Sequence, residues 1–561
     1  MTQAAFEMMF QKGLPPTERK YPGHGYRVTR DKGMIIERDV AVPMRDGVTI
    51  YVDILRPDGQ ERVPALVSWS AYGKHVPAAY ERFYKNGGVR PEWFSKYAHY
   101  EGPDPVYWVP RGYAIVNCDP RGLWHSEGDA TYWSNDEGRD GHDLIEWLGV
   151  RDWCNGKVGM TGVSYLAIIQ WLVAATRPPH LAAINPVEGV SDMYREFAYH
   201  GGIPETAFFP VWQTGICYGL NRVEDIFEMA KRHPFIDAYW ASKRADLSKI
   251  NAPAYVVAGW GDQGLHIRGT LEAFKRISSA NKWLEVHGRK KWEYYYQPET
   301  VEKLRTFFDH FLKGIDNDMP HRPRVRLEAR ERYYVGKFRN ENEWPLVRTR
   351  YKKLFLDART GSLRTTAPKT QSEARYDAPG DSSRSPAAYR QERAQFDHTF
   401  TQPVELTGHM KLRLWVEADG ADDMDLFIAI QKFDRNGRHV GFAAFSALED
   451  GPVALGWLRV SHRELDPKRS TPQQPWLLHQ RELKLERGVP VPVEIEIWPS
   501  STRFAKDETL RVVVQGSDIY QYAFWIRLAG HPDTRNAGQH VIHTGGTYDS
   551  HLLIPVVPRK G

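Results

Sequence analysis

The stretch of residues 159–167 constrains this chain most, because it has the pattern of a sharp turn between a strand and a helix. Gly162 and Ala167 flank Ser164, and small side chains are needed there because the serine and the following helix crowd each other. An apolar strand runs into the turn, and the apolar segment 166–175 leaves it as a buried helix. The spacing G-x-S-x-x-A of Gly162, Ser164 and Ala167 alone is a weak signal. Its strand-turn-helix context predicts that Ser164 is a nucleophile exposed above a sheet.

Short apolar runs on both sides of this turn predict the sheet itself. Continuous runs are typical of central parallel strands, which are buried on both faces; they occupy residues 64–69 and 113–118. Further strands are predicted at residues 157–160, 181–187, 254–260 and 283–287. Two alternating runs, 35–42 and 48–55, precede them, and an amphipathic helix is predicted within 140–148. Strands that alternate with helices indicate a doubly wound, largely parallel sheet of the α/β-hydrolase class.

The style of the sequence changes twice along the chain. Residues 192–250 are helical and aromatic and lie between two sheet strands, so we interpret them as a cap over the active-site mouth. An ordinary helical insertion without substrate contact is the alternative. Many short alternating strands fill residues 323–557, which predicts a β-sandwich. The predicted domains are therefore a hydrolase core in two parts, 1–190 and 251–322, a cap, 191–250, and a C-terminal β-sandwich, 323–561.

Composition narrows the classes of partner. The 75 Lys and Arg residues nearly balance the 70 Asp and Glu residues, giving a net charge of +5 with no basic stripe for nucleic acid. The sequence has no run of 18 apolar residues, so no membrane span is expected. Its first residues do not have the pattern of a signal peptide. Cys118, Cys154 and Cys217 are scattered and odd in number, as expected of reduced thiols. We expect a cytoplasmic protein with a small-molecule substrate, and a homo-oligomer is an open alternative to a monomer.

Several motifs over nearly the whole chain resemble one family, that of cocaine esterase, α-amino acid ester hydrolases, glutaryl-cephalosporin acylases and X-Pro dipeptidyl-peptidases. The Ser164–Tyr165 pair is similar to the family's characteristic Ser-Tyr pair. The other matching segments are 119–122, 126–128, 146–148, 153–160, 259–262, 307–314 and 456–459. The resemblance implies an α/β-hydrolase domain, a helical cap and a C-terminal jelly roll.

The chemistry of a serine hydrolase needs a base to take the serine proton and an acid to orient that base. In α/β-hydrolases the partners follow the order Ser, Asp, His. Asp262 comes just after an apolar strand and fits the acid, although a carboxylate of a loop or cap is the alternative.

The histidine departs from the family pattern. The resemblance implies a histidine shortly after the next strand, but Lys291 and Trp292 stand there. His287, at the end of that strand, is the nearest imidazole and is our predicted base. His266, four residues after Asp262, is the alternative base. Another histidine, or a site without a standard triad, also stays open.

Two groups are predicted to stabilise the oxyanion. The backbone N–H of Tyr165, the residue after the nucleophile, is one donor by the geometry of the elbow. Tyr72 follows a central strand, and the resemblance implies that its hydroxyl is the second donor; a structural aromatic is the alternative. No metal motif or phosphate-binding loop occurs, so no metal or cofactor is expected.

These residues predict a serine hydrolase that cleaves ester or amide acyl groups. An X-Pro dipeptidyl-peptidase is a second hypothesis, and it needs an acidic anchor for a substrate amine such as Glu196, Glu205 or Glu224. A non-catalytic binding protein on a hydrolase scaffold is the third, and the histidine missing from the family position is its main support.

Overall fold

The first two thirds of the chain supply a central sheet with helices on both faces. The computed structural model describes residues 6–19, 21–75, 83–378, 392–520 and 530–558. The first strands are β1 (Phe10–Lys12), β2 (Arg27–Asp31), β3 (Met34–Pro43), β4 (Thr49–Pro57), β5 (Val63–Trp69), β6 (Ala114–Asp119), β7 (Cys154–Val163) and β8 (Leu181–Val187). The helices between them are α1 (Pro105–Trp108), α2 (Asn135–Gly149) and α3 (Tyr165–Ala175).

The segment predicted as a cap is built from short elements. They are a π-helical turn (Tyr194–Ala198), β9 (Tyr199–His200), β10 (Ile203–Pro204), α4 (Phe209–Thr214), β11 (Arg222–Glu224), α5 (Ile226–Arg232) and α6 (Ala238–Ser242). The core then resumes with β12 (Ala254–Gly259), α7 (Ile267–Arg276), β13 (Lys282–His287), α8 (Lys291–Tyr296) and α9 (Pro298–Lys313).

The remainder of the described chain is rich in strands. They are β14 (Val325–Arg332), β15 (Val335–Glu341), β16 (Arg350–Asp357), β17 (Ser362–Arg364), β18 (Ser372–Asp377), β19 (Arg393–Thr399), β20 (Val404–Asp419), β21 (Asp425–Phe433), β22 (Phe442–Ala444), β23 (Leu448–Gly451), β24 (Ala454–Arg459), β25 (Val491–Phe504), β26 (Thr509–Gln515), β27 (Gln539–Thr544) and β28 (His551–Val556).

The central sheet has the strand order β2, β3, β4, β6, β5, β7, β8, β12, β13, β14. The pairs from β6 to β14 are parallel, and the pairs at the β2 side are antiparallel. Every residue of β5, β6 and β12 is buried, as expected for strands covered on both faces. This arrangement confirms the predicted fold class, whereas the exact domain boundaries stay predictions.

Helices α2 and α3 cover the sheet behind the predicted elbow. Helix α2 begins after Ser134, whose side chain accepts a hydrogen bond from the backbone N–H of Glu137. Such a cap satisfies one of the free N–H groups at a helix start. Helix α3 is apolar on all sides and is buried from Tyr165 to Ala174. The burial of α3 therefore holds its first turn, and the serine before that turn, in a fixed position.

The C-terminal strands enclose a second core. Long antiparallel strands β20 and β25 pair along most of their length, and β21 pairs with β24 and β26. Their inward side chains, among them Leu412, Ile428 and Val512, form a hydrophobic cluster separate from that of the central sheet. A β-rich C-terminal domain therefore follows the α/β-hydrolase domain.

Hydrogen bonds join the C-terminal domain to the loop between β12 and α7. The N–H of Phe445 donates to the carbonyl of Gly261 over 3.1 Å. The N–H of Leu455 donates to the side chain of Gln263 over 3.1 Å, and the Gln263 amide donates to the carbonyl of Pro499 over 3.2 Å. This loop, which carries Asp262, is therefore held from outside by the second domain.

Among the helices that the structure describes, none combines the length and the apolar character needed to cross a bilayer.

Candidate active site

Ser164 lies on a strained turn between β7 and α3. Its backbone has φ 59° and ψ −112°, a conformation that is costly for a residue with a side chain and is characteristic of functional sites. The N–H of Ser164 donates to the carbonyl of Val187 on the neighbouring strand over 3.0 Å, which holds the turn against the sheet. A Cβ at Gly162 would lie 2.5 Å from the Cβ of Leu166, so glycine is needed where the helix folds back. These features are those of the predicted nucleophile elbow.

The imidazole of His266 lies next to the serine hydroxyl. Its Nε2 is 3.1 Å from the Ser164 Oγ, and its Nδ1 is 2.5 Å from the Oδ2 of Asp262. The Nδ1–H therefore donates to the carboxylate, which leaves Nε2 free to accept the serine proton. His266 is 1% exposed, and burial lowers its pKa below the ordinary value despite the opposing effect of Asp262. A neutral imidazole at neutral pH is the form that a general base needs.

Asp262 follows strand β12 and orients the imidazole from the side opposite the serine. Burial alone would raise the pKa of its carboxyl, but His266 and then the Lys291 ammonium outweigh that effect and hold the pKa well below its usual range. The Nζ of Lys291 is 3.6 Å from the Asp262 Oδ2. Asp262 is therefore an ionised partner for the histidine.

His287, the predicted base, lies elsewhere in the sheet. Its ring is fully buried and stacks on Tyr294 with ring centroids 3.7 Å apart. Its Nε2 is 3.3 Å from a carboxyl oxygen of Glu188, and its Nδ1 accepts the N–H of Arg289. Burial lowers the pKa of His287 to about 3. The geometry therefore favours the alternative base, His266, because His287, the last residue of β13, packs its ring against α8.

Two donors surround the position where an oxyanion would form. The hydroxyl of Tyr72 lies near Ser164 and accepts the indole N–H of Trp212 over 3.4 Å. Burial raises the pKa of Tyr72, so the phenol stays protonated and able to donate. Tyr165 is the first residue of α3, where a backbone N–H has no acceptor within its own helix. The structure thus brings both predicted donors beside the serine.

The loop that carries Tyr72 is anchored by a buried ammonium. Lys74 forms ion pairs with Asp39 and, over 2.9 Å, with Asp53. Its backbone N–H donates to Asp119 over 2.8 Å. All four charged side chains are fully buried, so the network is too costly to break and fixes the loop.

Aromatic side chains of the predicted cap and of the core line the region around the two tyrosines. Trp212 of α4 stacks on Trp133 with centroids 4.5 Å apart, and Phe197 meets Trp212 edge-on at 5.5 Å. Trp133 also packs on the ring of Tyr165 at 4.7 Å. Residues 191–250 therefore contribute side chains to this region, and their role as a cap stays a prediction.

The acidic candidates for an amine anchor already have internal partners. Glu196 pairs with Arg268 over 2.7 Å, and Glu224 pairs with Lys243 over 2.7 Å. Glu205 accepts backbone N–H groups, including that of Phe209. All three carboxylates are buried, so none is placed to receive a substrate amine without losing these bonds.

Two groups of side chains have a spacing that could hold a metal ion. They are Glu188, Asp262 and His266 at the site, and Asp39, Asp53 and His75 below Tyr72. A lysine ammonium already approaches each group, Lys291 in the first and Lys74 in the second. A cation in either place would meet that positive charge, which makes both groups poor fits for a metal.

Sequence reasoning missed Glu188 and the role of Lys291. Glu188 follows β8 with a φ of 51°, and its carboxyl faces Asp262. Lys291 occupies the place where the resemblance implied a histidine, and it is buried against Asp262. A lysine directly before Trp292, at the place where the resemblance implies a histidine, was the available signal for Lys291. No local pattern marked Glu188.

Two family models match the chain. The model described as X-Pro dipeptidyl-peptidase (S15 family) covers residues 46–220, and the model described as X-Pro dipeptidyl-peptidase C-terminal non-catalytic domain covers residues 317–553.

Solved structures and curated sequences agree with these models. A crystal structure of a CocE/NonD family hydrolase from Staphylococcus aureus is 41% identical, has a TM-score of 0.89 and matches 95% of this chain and 96% of its own. Cocaine esterase from Rhodococcus sp. (strain MB1 Bresler) is 27% identical over 94% of this chain and 100% of its own. An α-amino acid ester hydrolase structure, 17% identical with a TM-score of 0.70 over 94% of this chain and 98% of its own, shows a shared fold.

Proposed function

The chain belongs to the CocE/NonD family of serine hydrolases, and from this premise we propose that it cleaves ester or amide acyl bonds through an acyl-enzyme on Ser164. The observation that carries the proposal is the continuous chain of contacts from the Ser164 hydroxyl through His266 to Asp262. A serine, an imidazole and a carboxylate in this order are what nucleophilic acyl transfer requires.

The first half of the reaction forms the acyl-enzyme. The Ser164 Oγ attacks the substrate carbonyl carbon while His266 Nε2 takes its proton, and Asp262 stabilises the imidazolium that results. The carbonyl oxygen becomes an oxyanion, to which the Tyr72 hydroxyl and the Tyr165 N–H donate. The imidazolium then gives its proton to the leaving alcohol or amine as the carbon–oxygen or carbon–nitrogen bond breaks.

The second half repeats these roles with water. His266 takes a proton from water, and the resulting hydroxide attacks the acyl carbon. The tetrahedral intermediate then collapses as the bond from the acyl carbon to the Ser164 Oγ breaks and the His266 imidazolium returns its proton to that oxygen, which releases the acid. The burial of His266 and Asp262 keeps this proton path away from bulk solvent.

Labelling with a fluorophosphonate tests the nucleophile. Such a probe phosphonylates an activated serine, so native protein should be labelled at Ser164 and the Ser164→Ala variant should lose the label. Equal labelling of both proteins, or no labelling of native protein together with unchanged ester turnover in Ser164→Ala, would sink the proposal.

Ester hydrolysis is favoured over X-Pro peptidase activity by the state of the cap carboxylates. Glu196 and Glu224 are engaged in buried ion pairs and Glu205 accepts backbone N–H groups, whereas a dipeptidyl-peptidase needs a free acid for the substrate amine. Turnover of a short-chain p-nitrophenyl ester should therefore exceed that of an X-Pro p-nitroanilide. Faster cleavage of the X-Pro substrate would reverse this preference.

A non-catalytic scaffold is the third candidate, and the geometry removes its main support. The absent histidine at the family position is replaced in function by His266, which reaches Ser164 from the loop that carries the acid. Ester turnover that disappears in Ser164→Ala would exclude the scaffold hypothesis.

A further inference from the structure

Unpartnered polar atoms converge behind Asp262. Within the described part of the chain, both carboxyl oxygens of Glu188, the Oδ1 of Asp262 and the Nε2 of His287 are buried and have no hydrogen-bond partner. Glu188 is 1% exposed and Asp262 is 3% exposed. Buried polar groups are almost always paired, so four such atoms in one place call for a physical explanation.

These atoms belong to groups in direct contact. Carboxyl oxygens of Glu188 and Asp262 and a ring nitrogen of His266 lie within 4.8 Å of one another. On the other side, the Oε1 of Glu188 is 3.3 Å from the Nε2 of His287. Glu188 therefore sits between the acid of the triad and the second histidine.

The backbone is built to admit this carboxyl. Glu188 has a φ of 51°, which is unfavourable for a residue with a side chain, and its N–H donates to the Val257 carbonyl over 2.8 Å. At the end of β12, a Cβ on Gly259 would lie 2.5 Å from the Glu188 Oε1. The strained backbone of Glu188 after β8 and the absence of a side chain at Gly259 at the end of β12 together allow the Glu188 carboxyl to lie against Asp262.

The charges nearby decide the protonation state. Asp262 is ionised, and one ammonium, that of Lys291, lies 3.6 Å from it. A second ionised carboxylate beside Asp262, buried and with no hydrogen bond formed to either of its oxygens, would carry a large desolvation cost. A neutral carboxylic acid avoids that cost, because its O–H can donate to the Asp262 oxygen that lacks a partner.

The tautomer of His287 fits the same arrangement. Its Nδ1 accepts the Arg289 N–H over 3.2 Å, so in the neutral ring the proton is on Nε2. That N–H faces the Glu188 Oε1. If the carboxyl proton is on Oε2, then Oε1 is the carbonyl oxygen and can accept this N–H.

We propose that Glu188 is a protonated carboxylic acid and a positioning residue, whose O–H donates to Asp262 and whose carbonyl oxygen faces the N–H of His287. The positioning role rests on the proposed triad. The acid fixes the rotation of the Asp262 carboxylate, so that its Oδ2 stays directed at His266. His287 thus contributes to the site through Glu188 and Asp262 and does not touch the substrate.

The titratable groups that face Glu188 support this state. Burial raises the pKa of Glu188 well above its usual range, and the charge of Asp262 raises it further. Lys291 on α8 opposes the rise, and Glu101, before α1, adds to it. His287 on β13 is neutral, since burial lowers its pKa to about 3.

Infrared difference spectroscopy tests the protonation state without any turnover. The wild-type minus Glu188→Gln spectrum should contain the C=O band of a protonated carboxyl, unchanged in position and size between about pH 6 and 9, because a carboxyl pKa raised by burial keeps its proton there. If Glu188→Gln instead removes bands of an ionised carboxylate, and no band of a protonated carboxyl, the proposal is overturned.

Glu272→Gln is the matched control. Glu272 lies on α7, is 1% exposed, and pairs with Lys275 and Arg276, which hold its pKa low. Its replacement should remove carboxylate bands and leave the protonated band intact. A stoichiometric metal in native protein that is lost in Glu188→Gln would also overturn the proposal, since it would make Glu188 an ionised ligand.

Kinetics test the positioning role. The amide introduced by Glu188→Gln is uncharged and can still donate to Asp262, so this variant should keep kcat/KM within about threefold and leave the acid limb of its pH profile in place. Glu188→Ala removes the donor and should lower kcat by roughly ten- to a hundredfold with little change in KM. A large shift of the acid limb in Glu188→Gln, or full kcat in Glu188→Ala, would overturn the role.

The two proposals fail in separable ways. Failure of the nucleophile assignment appears in the labelling of Ser164→Ala, while the infrared band reports on Glu188 whether or not the protein turns over substrate. The full expected pattern is a protonated band that Glu188→Gln loses, normal Ser164 labelling, and a reduced kcat in Glu188→Ala.

Discussion

At the scale of single residues, the site depends on side chains held in one protonation state by their surroundings. Burial makes His266 a weak base that is neutral near pH 7, and Asp262 keeps its charge because His266 and Lys291 lie beside it. Burial likewise keeps the Tyr72 phenol protonated. Each group therefore has the form that its proposed role requires before a substrate arrives.

Removal of the Tyr72 hydroxyl should cost transition-state stabilisation. In Tyr72→Phe the ring remains in place but one of the two oxyanion donors is lost, so kcat should fall by about 10²- to 10³-fold. Steady-state kinetics with an activated ester measure this. A Tyr72→Phe enzyme with unchanged kcat would mean that the phenol is a structural aromatic.

Neutralisation of Lys291 should move the pH profile in a defined direction. The base works only when neutral, so the rate falls as the pH drops through the pKa of His266. Burial and the Lys291 charge both lower that pKa. In Lys291→Met the positive charge is gone, the pKa of His266 rises, and the acid limb of kcat/KM should move to higher pH. A limb that stays in place or moves to lower pH contradicts this electrostatic role.

At the scale of elements, the loop between β12 and α7 carries both the proposed acid and the proposed base. Asp262 and His266 are four residues apart, and α7 begins directly after the histidine. Gly261 lies next to the acid, where a Cβ would be 1.9 Å from the Ala443 carbonyl oxygen of the C-terminal domain. The loop is therefore confined between the two domains.

Gly261→Ala should disturb this confinement. The added methyl group would push the loop from Ala443, and overpacking of this kind costs about 1–3 kcal/mol. We expect a lower midpoint of thermal unfolding and a reduced kcat, since Asp262 is the next residue. Gly59→Ala is the control, because a Cβ there meets nothing within 4 Å. Equal stability and activity of the two variants would show that the loop is not confined.

The sheet, the elbow and the loop after β12 differ in how well the sequence predicts them. Continuous apolar runs and the small residues around Ser164 predicted the sheet and the elbow, because parallel strands and the sharp turn impose these patterns locally. The general base was harder to predict, because the histidine that can act on Ser164 is set by its distance from the serine in the fold and not by its order in the sequence. His287 ends the expected strand but stacks on Tyr294, whereas His266 reaches Ser164 across 102 positions of sequence.

Part of the site had no sequence signal at all. Glu188 acquires its place from a strained φ at the end of β8 and from the absent side chain of Gly259 on the next strand. Both are properties of the assembled sheet. The spacing of an acid and a histidine four residues apart before a helix was the one local hint to the Asp262–His266 pair.

At the scale of the whole molecule, three parts of the chain meet at one site. The central sheet supplies the proposed nucleophile, the loop after β12 supplies the proposed acid and base, and α4 supplies Trp212 beside Tyr72. The β-rich C-terminal domain holds the acid-bearing loop through Phe445, Leu455 and Pro499. The domain that contributes no proposed catalytic side chain thus stabilises the geometry of those that do.

The central claim, that His266 is the base of a Ser164–His266–Asp262 triad, is tested most directly by kcat/KM of His266→Ala and His287→Ala measured beside Ser164→Ala on one activated ester. Triad members act as a unit, so His266→Ala should lose about as much rate as Ser164→Ala. His287→Ala should lose much less, on the order of tenfold, through the position of Asp262. A His287→Ala variant as inactive as Ser164→Ala, with His266→Ala near the wild-type rate, would contradict the account.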